Sequence, residues 1–193
     1  MDAPSLSDQK QALRDILRTR REAVGATEAA EAAMGLRDQF LCVLRPQPFL
    51  CISSYIPVRG EMDPRPLCAA LQKAGHRLSL PVMQGKGMPL LFRLVPPDER
   101  LIQNAYGLWE PPDSAPCVDP DLLLVPLLAF DRALNRLGSR GGYYDRTLPA
   151  LRAQKPVTAI GLAYSFQEVP SVPIAAHDQP LDGVVTETEA IVS

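Results

Sequence analysis

Apolar residues recur at helical spacing near the start of the chain, at Leu13, Ile16, Leu17 and Val24. This period predicts an amphipathic first helix. Ser5 followed by Asp8 fits a capping box at the start of that helix, with Ser7 as an alternative cap. A segment rich in Ala and Glu predicts a second helix over about residues 27–41, and the sequence RPQP ends it.

Short and nearly continuous apolar runs follow, which are typical of buried strands. The predicted strands are FLCISSYIP, HRLSLPVM, PLLFRLV, DLLLVPLLAF, PVTAIGLAY and LDGVVTE. Two further helices are predicted, one in EMDPRPLCAALQKAG that stops at Gly75 and one that begins with YYDRTLPALRA. Because strands alternate with helices, we expect a three-layer α/β/α protein with a mainly parallel sheet, folded as one domain over residues 1–193.

One long segment, residues 96–120, fits neither pattern. It is rich in proline, yet apolar residues such as Leu108 and Trp109 punctuate it. A plain linker would not need these apolar side chains. We therefore expect an ordered excursion of the chain that lies over a site.

Composition and charge limit the classes of partner that we expect for this protein. The 193 residues are 46% hydrophobic and 22% charged, with a net charge of −2. Such a balance gives no overall field that would gather nucleic acid or an anionic membrane, so we expect neither as a partner. The N-terminal sequence MDAPSLSDQKQALRD lacks the apolar core of a secretion signal. The scattered cysteines predict reduced, mostly buried thiols and a cytoplasmic protein: Cys42, Cys51, Cys68 and Cys117.

Chemistry is concentrated in NRLGSRGGYYDRTL, residues 135–148, which follows the run DLLLVPLLAF. In parallel sheets, ligands bind beyond the carboxyl ends of the strands, and glycines next to a helix N-terminus can form an anion-binding nest. A simple strand-to-helix connection is the alternative for Gly138, Gly141 and Gly142. Neither a GxxxxGK[ST] nor a GxGxxG pattern is present.

Charged residues in the same loop favour phosphate as the ligand. Arg136 and Arg140 can neutralise a phosphate, and Asp145 can hold a Mg²⁺ ion that bridges phosphate oxygens. A capping or structural role for Asp145 is the alternative.

The first helix carries a basic stripe of Lys10, Arg14, Arg18 and Arg21. Their spacing of i, i+4, i+8 and i+11 places all four on one side of the helix. Like charges at this spacing repel one another by a few tenths of a kcal/mol, about 0.2–0.5 per pair. A solvated helix face is the usual explanation. The alternative is that Lys10 and Arg14 reach an anionic ligand.

These blocks together resemble the 5-formyltetrahydrofolate cyclo-ligase family, also called 5,10-methenyltetrahydrofolate synthetases. The resemblance covers almost the whole chain and rests on KQALR, YIPVRGEMDPRPL, LPVM, GLWEPP, VPLLAFDRALNRLGSRGGYYDRTL and HDQPLDGVVTE. It implies a fold of the phosphosugar-isomerase/CoA-transferase-like type. The implied activity is the ATP- and Mg²⁺-dependent conversion of 5-formyltetrahydrofolate into 5,10-methenyltetrahydrofolate, with release of ADP and phosphate. The alternative is a non-catalytic relative that keeps the folate or nucleotide pocket.

The resemblance also implies roles for individual residues. The implied ATP contacts are Lys10, Arg14, Arg136, Gly138, Ser139, Arg140, Gly141, Gly142, Tyr143 and Tyr144, of which Arg136, Arg140 and Tyr144 are also the implied catalytic residues. The implied folate contacts are Glu61, Trp109, Glu110 and Tyr143. Considered alone, Glu61 has an alternative role as a carboxylate at a helix N-terminus. Asp145 and Asp178 are the implied Mg²⁺ ligands, with Asp182 competing for the second position. His177 is expected to be a cap or second-layer residue and His76 to be structural.

One departure from the family pattern lies in the glycine-rich loop. The family usually has GxGxGYYD, whereas this chain has Arg140 at a position that is normally glycine. Arg140 is then either strained by a positive φ or a cation supplied to the γ-phosphate. For assembly we expect a monomer, with a weak homodimer as the alternative.

Overall fold

The computed structural model describes residues 4–48, 50–95, 101–104, 107–139 and 141–192. Four α-helices lie within these ranges: α1 (Leu6–Glu22), α2 (Ala26–Val43), α3 (Arg65–Lys73) and α4 (Tyr143–Arg152). The strands are β1 (Cys51–Ser53), β2 (Arg77–Met83), β3 (Leu90–Leu94), β4 (Ile102–Gln103), β5 (Trp109–Glu110), β6 (Leu122–Pro126), β7 (Ala129–Phe130), β8 (Arg136–Leu137), β9 (Thr158–Leu162), β10 (Gly183–Val185) and β11 (Ala190–Val192). No helix within these ranges is long and apolar enough to cross a membrane.

The central sheet has seven strands in the order β11-β10-β9-β6-β1-β2-β3. The five inner strands are parallel to one another, whereas the edge strands β3 and β11 are antiparallel to the inner strands that they pair with. The prediction of a mainly parallel sheet is therefore confirmed. β11 was not predicted, because its three residues, separated from β10 by residues 186–189, are too few to offer a hydrophobic pattern of their own.

Helices cover both faces of the sheet. Leu122 and Leu124 of β6 pack in the core that α2 and α3 complete, whereas Leu123 and Val125 pack in the core that α4 completes. Side chains of successive strand residues point to opposite faces of the sheet. A strand that is apolar throughout can therefore bury side chains in the cores on both faces. The expected three layers are present.

The first two helices form close to where the sequence predicts them. The Ser5 side chain accepts a hydrogen bond from the Asp8 N–H at 3.2 Å, and the Asp8 carboxylate accepts one from the Ser5 N–H at 3.2 Å. This reciprocal pair is the predicted capping box. Leu17 packs against Ala129 and Val172, which fixes α1 beside β7. α2 is longer than predicted by one residue at its start and two at its end.

The run DLLLVPLLAF is not one strand, which corrects the sequence prediction. β6 ends at Pro126, and the chain then turns into β7, which pairs with β8 inside the predicted loop. Proline has no N–H to donate, so its position is a natural end for a paired strand. Asp131 closes the β7–β8 connection by accepting hydrogen bonds from the Ala133 and Asn135 N–H groups, each at 3.0 Å.

The excursion at residues 96–120 contains a small hairpin in its described part. β4 and β5 pair antiparallel, with Gln103 opposite Trp109. Asn104 closes the turn by accepting a hydrogen bond from the Leu108 N–H at 3.0 Å. The prediction of an ordered excursion is confirmed for this described part.

The cysteine prediction is correct only in part. The four cysteines are free, but Cys42 and Cys117 are exposed, whereas Cys51 and Cys68 are buried. The prediction that the thiols are mostly buried was therefore wrong for two of the four cysteines. Cys42 lies in the last turn of α2, and Cys117 lies between β5 and β6.

Candidate active site

A cavity of about 540 Å³ lies at the carboxyl ends of the parallel strands. Tyr55 after β1, Met83 at the end of β2 and Pro126 at the end of β6 line its floor. Predicted site residues that the structure describes also line it: Lys10, Arg14, Glu61, Trp109, Glu110, Arg136, Gly138, Ser139, Gly141, Gly142, Tyr143, Tyr144, Asp145 and Asp178. The predicted residue Arg140 lies outside the described residues. Segments far apart in sequence thus meet at the edge of the sheet where ligands bind in such folds.

The glycines of the loop set the start of α4. Gly141 and Gly142 have φ values of 81° and 58°, in the left-handed region that favours glycine. A Cβ on Gly141 would lie only 2.7 Å from Cε2 of Tyr143. Gly142 is the N-cap of α4 and has no side chain with which to cap it. The first N–H groups of a helix attract anions, and here the residues that carry them line the cavity.

Arg136 and Asp145 form an ion pair on the wall of the cavity. Nη2 of Arg136 donates to Oδ1 of Asp145 at 2.7 Å, and the same oxygen accepts the Gln179 N–H at 3.1 Å. The Arg136 side chain is only 4% exposed, and its guanidinium carbon lies 5.7 Å from the centroid of the Tyr144 ring. Its buried Nε has no hydrogen-bond partner within the described ranges. An unused buried donor of this kind is costly unless a ligand satisfies it.

A second ion pair joins α1 to the segment after residue 172. Nζ of Lys10 donates to the Asp178 carboxylate, which also accepts the Ala175 N–H at 2.7 Å. Burial alone would raise the pKa of Asp178, but the hydrogen bonds from Lys10 and Ala175 outweigh it and lower the pKa below its ordinary value. Asp178 is therefore an ionised carboxylate at neutral pH.

The competing residue Asp182 lies elsewhere. Its Oδ2 accepts hydrogen bonds from the Ala159 N–H at 2.7 Å and from Nη2 of Arg152 at 2.8 Å. Ala159 lies near the amino end of β9, whereas the cavity is at the carboxyl ends of the strands. The position of Asp178 on the cavity wall favours it over Asp182 as a metal ligand. In the described part of the chain, no three or more His, Cys, Asp or Glu side chains are grouped to hold a metal ion.

Glu61 contributes a nearly buried carboxylate, 9% exposed, to the lining of the cavity. Burial raises its pKa, while the Val58 N–H and Arg21 counteract this effect. Glu61 precedes α3 by four residues, so the alternative role at that helix N-terminus is not supported. Burial also raises the pKa values of Tyr55 and Tyr144, and the charge of Glu61 adds to both shifts.

The basic stripe of α1 is not a solvated face. Arg21 is buried, and the Lys10 side chain is only 13% exposed because it faces Asp178. Nε of Arg14 donates to the Gly138 carbonyl at 3.1 Å, which joins α1 to the glycine-rich loop. The interpretation as a solvated face was therefore wrong. The alternative, that Lys10 and Arg14 reach an anionic ligand, stays a prediction that their place on the cavity wall supports.

The hairpin of β4 and β5 forms the rim of the cavity. Trp109 is 51% exposed there, and Glu110 accepts a hydrogen bond from Nδ2 of Asn104 at 2.9 Å. His177 is exposed and its Nε2 lies 3.7 Å from Oδ1 of Asp178, which fits the expected peripheral role. His76, just before β2, is buried, which is consistent with a structural role.

Sequence reasoning missed Tyr55 and Arg21. Tyr55 is 5% exposed and donates from its hydroxyl to the Met62 carbonyl at 2.7 Å, which places it on the cavity floor. The signal available in the sequence was the polar segment SSY of the run SSYIP, at the carboxyl end of a buried strand. Arg21 was recognised only as part of the stripe, because nothing in its local sequence reveals its distant partners.

Comparisons with known proteins show which family has this sequence and this fold. The chain matches the model of the 5-formyltetrahydrofolate cyclo-ligase family over residues 6–187. It is 32% identical to a 5-formyltetrahydrofolate cyclo-ligase of Haemophilus influenzae, over 91% of this chain and 96% of the relative. It is 36% identical to the Escherichia coli protein of that name, over 72% of this chain and 78% of the relative. The NMR structure of Aquifex aeolicus 5,10-methenyltetrahydrofolate synthetase is similar with a TM-score of 0.80 and 29% identity, and the match covers 95% of this chain and 92% of that one.

Proposed function

Because the chain belongs to the 5-formyltetrahydrofolate cyclo-ligase family, we propose that its cavity uses ATP and Mg²⁺ to convert 5-formyltetrahydrofolate into 5,10-methenyltetrahydrofolate. ADP and phosphate are the other products. One observation carries the proposal: the residues with implied ATP, folate and metal roles that the structure describes line a single cavity.

The need for ATP follows from the chemistry of the formyl group. Its oxygen belongs to an amide-like group and is a poor leaving group. Attack of this oxygen on the γ-phosphorus of ATP releases ADP and gives a phosphorylated iminium. N10 of the folate then attacks the iminium carbon and gives up its proton to solvent, and phosphate leaves with the former formyl oxygen. The protein has to position two substrates and neutralise phosphate charge, and no covalent bond to the enzyme is required.

The phosphate side of the cavity is assigned to the glycine-rich loop and α1. The first turn of α4 offers N–H groups beside Gly141 and Gly142, and Arg136 offers a buried Nε–H that has no partner among the described residues. Lys10 and Arg14 approach from α1 and add positive charge. Donors already fixed by the fold need no reorganisation when charge shifts between the phosphates during transfer, which is how such a site accelerates the reaction.

Asp145 and Asp178 are the residues that would hold Mg²⁺. Magnesium in nucleotide sites is commonly held by one or two carboxylates together with phosphate oxygens, so a pair of carboxylates on a phosphate-binding wall fits this ion. When bound, the ion neutralises the charge of the phosphates. Until then, Arg136 and Lys10 compensate the two carboxylates.

The folate side is assigned to Glu61, Tyr143 and the β4–β5 hairpin. A pterin ring presents adjacent N–H donors, and a carboxylate such as Glu61 can accept two of them as paired, charge-assisted hydrogen bonds. Trp109 and Glu110 are on the cavity rim, where they can contact the rest of the folate. Arg136 and Tyr144, which line the cavity, are proposed as catalytic residues. Arg140, which lies outside the described residues, is proposed as a third.

The finer features of the protein are part of the same proposal. The fold is assigned to the phosphosugar-isomerase/CoA-transferase-like type, in one domain over residues 1–193. We expect a cytoplasmic protein, because its four cysteines are free. For assembly we propose a monomer, with a weak homodimer as the alternative.

The test is an absorbance assay of the purified protein. With ATP, Mg²⁺ and 5-formyltetrahydrofolate, we expect the methenyl chromophore to form in step with ADP, and omission of ATP should abolish both. Folded protein that forms no chromophore above an enzyme-free control would overturn the proposal. If calorimetry then showed nucleotide binding without ATP consumption, the non-catalytic relative would be the correct interpretation.

A further inference from the structure

Arg21, near the C-terminal end of α1, is a large buried cation with no role in the chemistry described so far. Its side chain is only 2% exposed. Arginine is almost never fully buried unless its donors and its charge are used, because the loss of water is costly. The contacts of the Arg21 guanidinium therefore indicate the role of this buried residue.

The guanidinium of Arg21 connects three parts of the fold. Nε donates to the Arg59 carbonyl at 3.1 Å, and Nη1 donates to the Leu127 carbonyl at 3.4 Å, just after β6. Nη1 also lies 3.8 Å from Oε1 of Glu61. Two of these three partners belong to the turn that delivers Glu61 to the cavity.

That turn, residues 58–61, is tightly constrained. The Glu61 N–H donates to the Val58 carbonyl at 3.1 Å, and both central residues have positive φ, 50° at Arg59 and 71° at Gly60. Oε2 of Glu61 accepts the Val58 N–H at 3.2 Å, so the carboxylate is fixed at one oxygen by its own turn. Arg59 is strained in this conformation, since residues other than glycine rarely adopt it.

The backbone of Arg21 also packs against the 58–61 turn. A Cβ on Gly60 would lie 2.8 Å from the Arg21 carbonyl oxygen, so the turn packs against α1 without room for a side chain. Arg21 thus holds the turn at its backbone, at the Arg59 carbonyl and near the second oxygen of Glu61. Strained turns persist only where the surrounding structure holds them in this manner.

We propose that Arg21 is a positioning residue for folate recognition, whose guanidinium holds the 58–61 turn and the Glu61 carboxylate in the geometry that receives the pterin ring. This inference rests on the proposed function, because it takes Glu61 to be a folate contact. The groups that face Glu61 are the cations Arg21 and Arg59 and the hydroxyls Tyr55 and Tyr144. Arg21 is the cation whose burial leaves it little freedom to move away.

The position of Arg21 along α1 separates its effect from nucleotide binding. Lys10 and Arg14, which face the phosphate side, are 11 and 7 residues earlier on the same helix, so at 1.5 Å per residue they are roughly 16 and 10 Å away along its axis. A change at Arg21 should therefore weaken folate recognition and leave ATP recognition nearly unaffected.

The experiment compares Arg21→Met with Arg21→Lys and with the control Arg18→Met. Arg18 lies on the same helix and pairs with the exposed Asp15 at 3.4 Å, so this control removes a neighbouring cation but none of the contacts that Arg21 makes with the 58–61 turn. For Arg21→Met we expect the KM for 5-formyltetrahydrofolate to rise by about tenfold or more, with the KM for ATP changed by less than about twofold. Arg21→Lys keeps the charge without the planar fork and should recover part of the loss.

A pH series gives a readout that loss of stability alone would not produce. Without Arg21, burial still disfavours the charged form of Glu61, so its pKa rises. Folate affinity in Arg21→Met, measured by equilibrium binding, should then weaken from about pH 8 to about pH 6 more steeply than in the wild type. In a Glu61→Gln background, Arg21→Met should add little further loss of folate affinity.

Unchanged folate KM in folded Arg21→Met, or equal increases in the KM values for folate and ATP, would overturn the inference. If Arg21→Met does not fold, Arg21→Lys decides: folate and ATP KM values that both match the wild type would overturn it. Wild-type protein assayed in parallel separates the two proposals. An inactive wild type contradicts the proposed function, whereas an active wild type with unaffected Arg21 variants contradicts only the role of Arg21.

Discussion

Arg136 of β8 donates a hydrogen bond of 2.7 Å from Nη2 to Oδ1 of Asp145 in the first turn of α4. This ion pair closes the glycine-rich loop on itself and leaves the Nε–H of Arg136 buried beside the cavity. In the proposed function, the Asp145 carboxylate that orients Arg136 would also hold the metal ion. Arg136 would then contact the phosphates when nucleotide binds, and Asp145 would hold Mg²⁺, which would neutralise phosphate charge.

Asp145→Asn tests the metal role directly. Asparagine keeps the shape of the side chain and can still accept a bond from Arg136, but it lacks the charge that holds a divalent cation. We expect turnover to fall by about tenfold or more and the Mg²⁺ concentration for half-maximal rate to rise. Steady-state assays over a Mg²⁺ titration measure both. The control Asp15→Asn, on the exposed side of α1, should behave as the wild type, and an Asp145→Asn variant that did the same would remove Asp145 from the metal site.

Glu61→Gln tests the folate side. Glutamine keeps a carbonyl oxygen for the Val58 N–H, yet it cannot provide a charged acceptor to two pterin donors. Since hydrogen bonds to charged groups contribute about 1.5–3 kcal/mol each, we expect the folate KM to rise by about tenfold or more. The KM for ATP should remain close to the wild-type value. Initial rates with each substrate varied in turn make the comparison, and equal changes in both KM values would argue against a pterin contact.

Gly141→Ala tests the geometry of the phosphate loop, and Gly87→Ala is its matched control. Both glycines have a φ of 81°, but a Cβ at Gly141 would contact Tyr143 at 2.7 Å, whereas a Cβ at Gly87 would meet open space. Backbone strain of about 1–2 kcal/mol should therefore lower the stability of both variants. Only Gly141→Ala should raise the KM for ATP, because it displaces Tyr143. Thermal unfolding and ATP kinetics on both variants measure these effects; an equal ATP KM in the two would show that the contact with Tyr143 is unimportant.

The ion pair between Lys10 and Asp178 predicts a pH-dependent contribution to stability. Because the folded-state pKa of Asp178 is depressed, the pair stabilises the protein above the ordinary carboxyl pKa of 3.8 and is lost as the pH falls through the lowered value. We expect Lys10→Met to lower the free energy of unfolding near about pH 7 and to differ less from the wild type below about pH 3. Urea unfolding at several pH values measures this difference. A gap that stayed constant across that range would mean that the pair does not stabilise the fold.

Much of the fold was predictable because its signals are local. The capping box of Ser5 and Asp8, the apolar runs of the inner strands and the helix after Gly142 each depend on neighbours in sequence. The class of the sheet follows from the order of these elements. The convergence of Glu61, Arg136 and Asp178 was predicted through the resemblance to a family, since no local pattern states which distant residues share a cavity.

The parts that were predicted incorrectly depend on tertiary contacts. The solvated-face interpretation failed at Arg21 because its partners, the carbonyls of Arg59 and Leu127, are 38 and 106 residues away. The single long strand failed because β7 pairs with β8 after a turn that buried Asp131 closes, although Pro126 was a visible signal for the break. Helix period alone gives the side of a helix on which a charge lies, but what covers that side is set by the rest of the chain.

The most direct measurement is a crystal structure with a non-hydrolysable ATP analogue, Mg²⁺ and 5-formyltetrahydrofolate. We expect the phosphates at the N-terminus of α4 within hydrogen-bonding distance of Arg136, the metal ion at Asp145, and the pterin ring paired with Glu61. The formyl oxygen should face the γ-phosphate beside Tyr143. A nucleotide bound away from the glycine-rich loop, or a pterin that does not contact Glu61, would contradict the proposal that this one cavity brings the two substrates together.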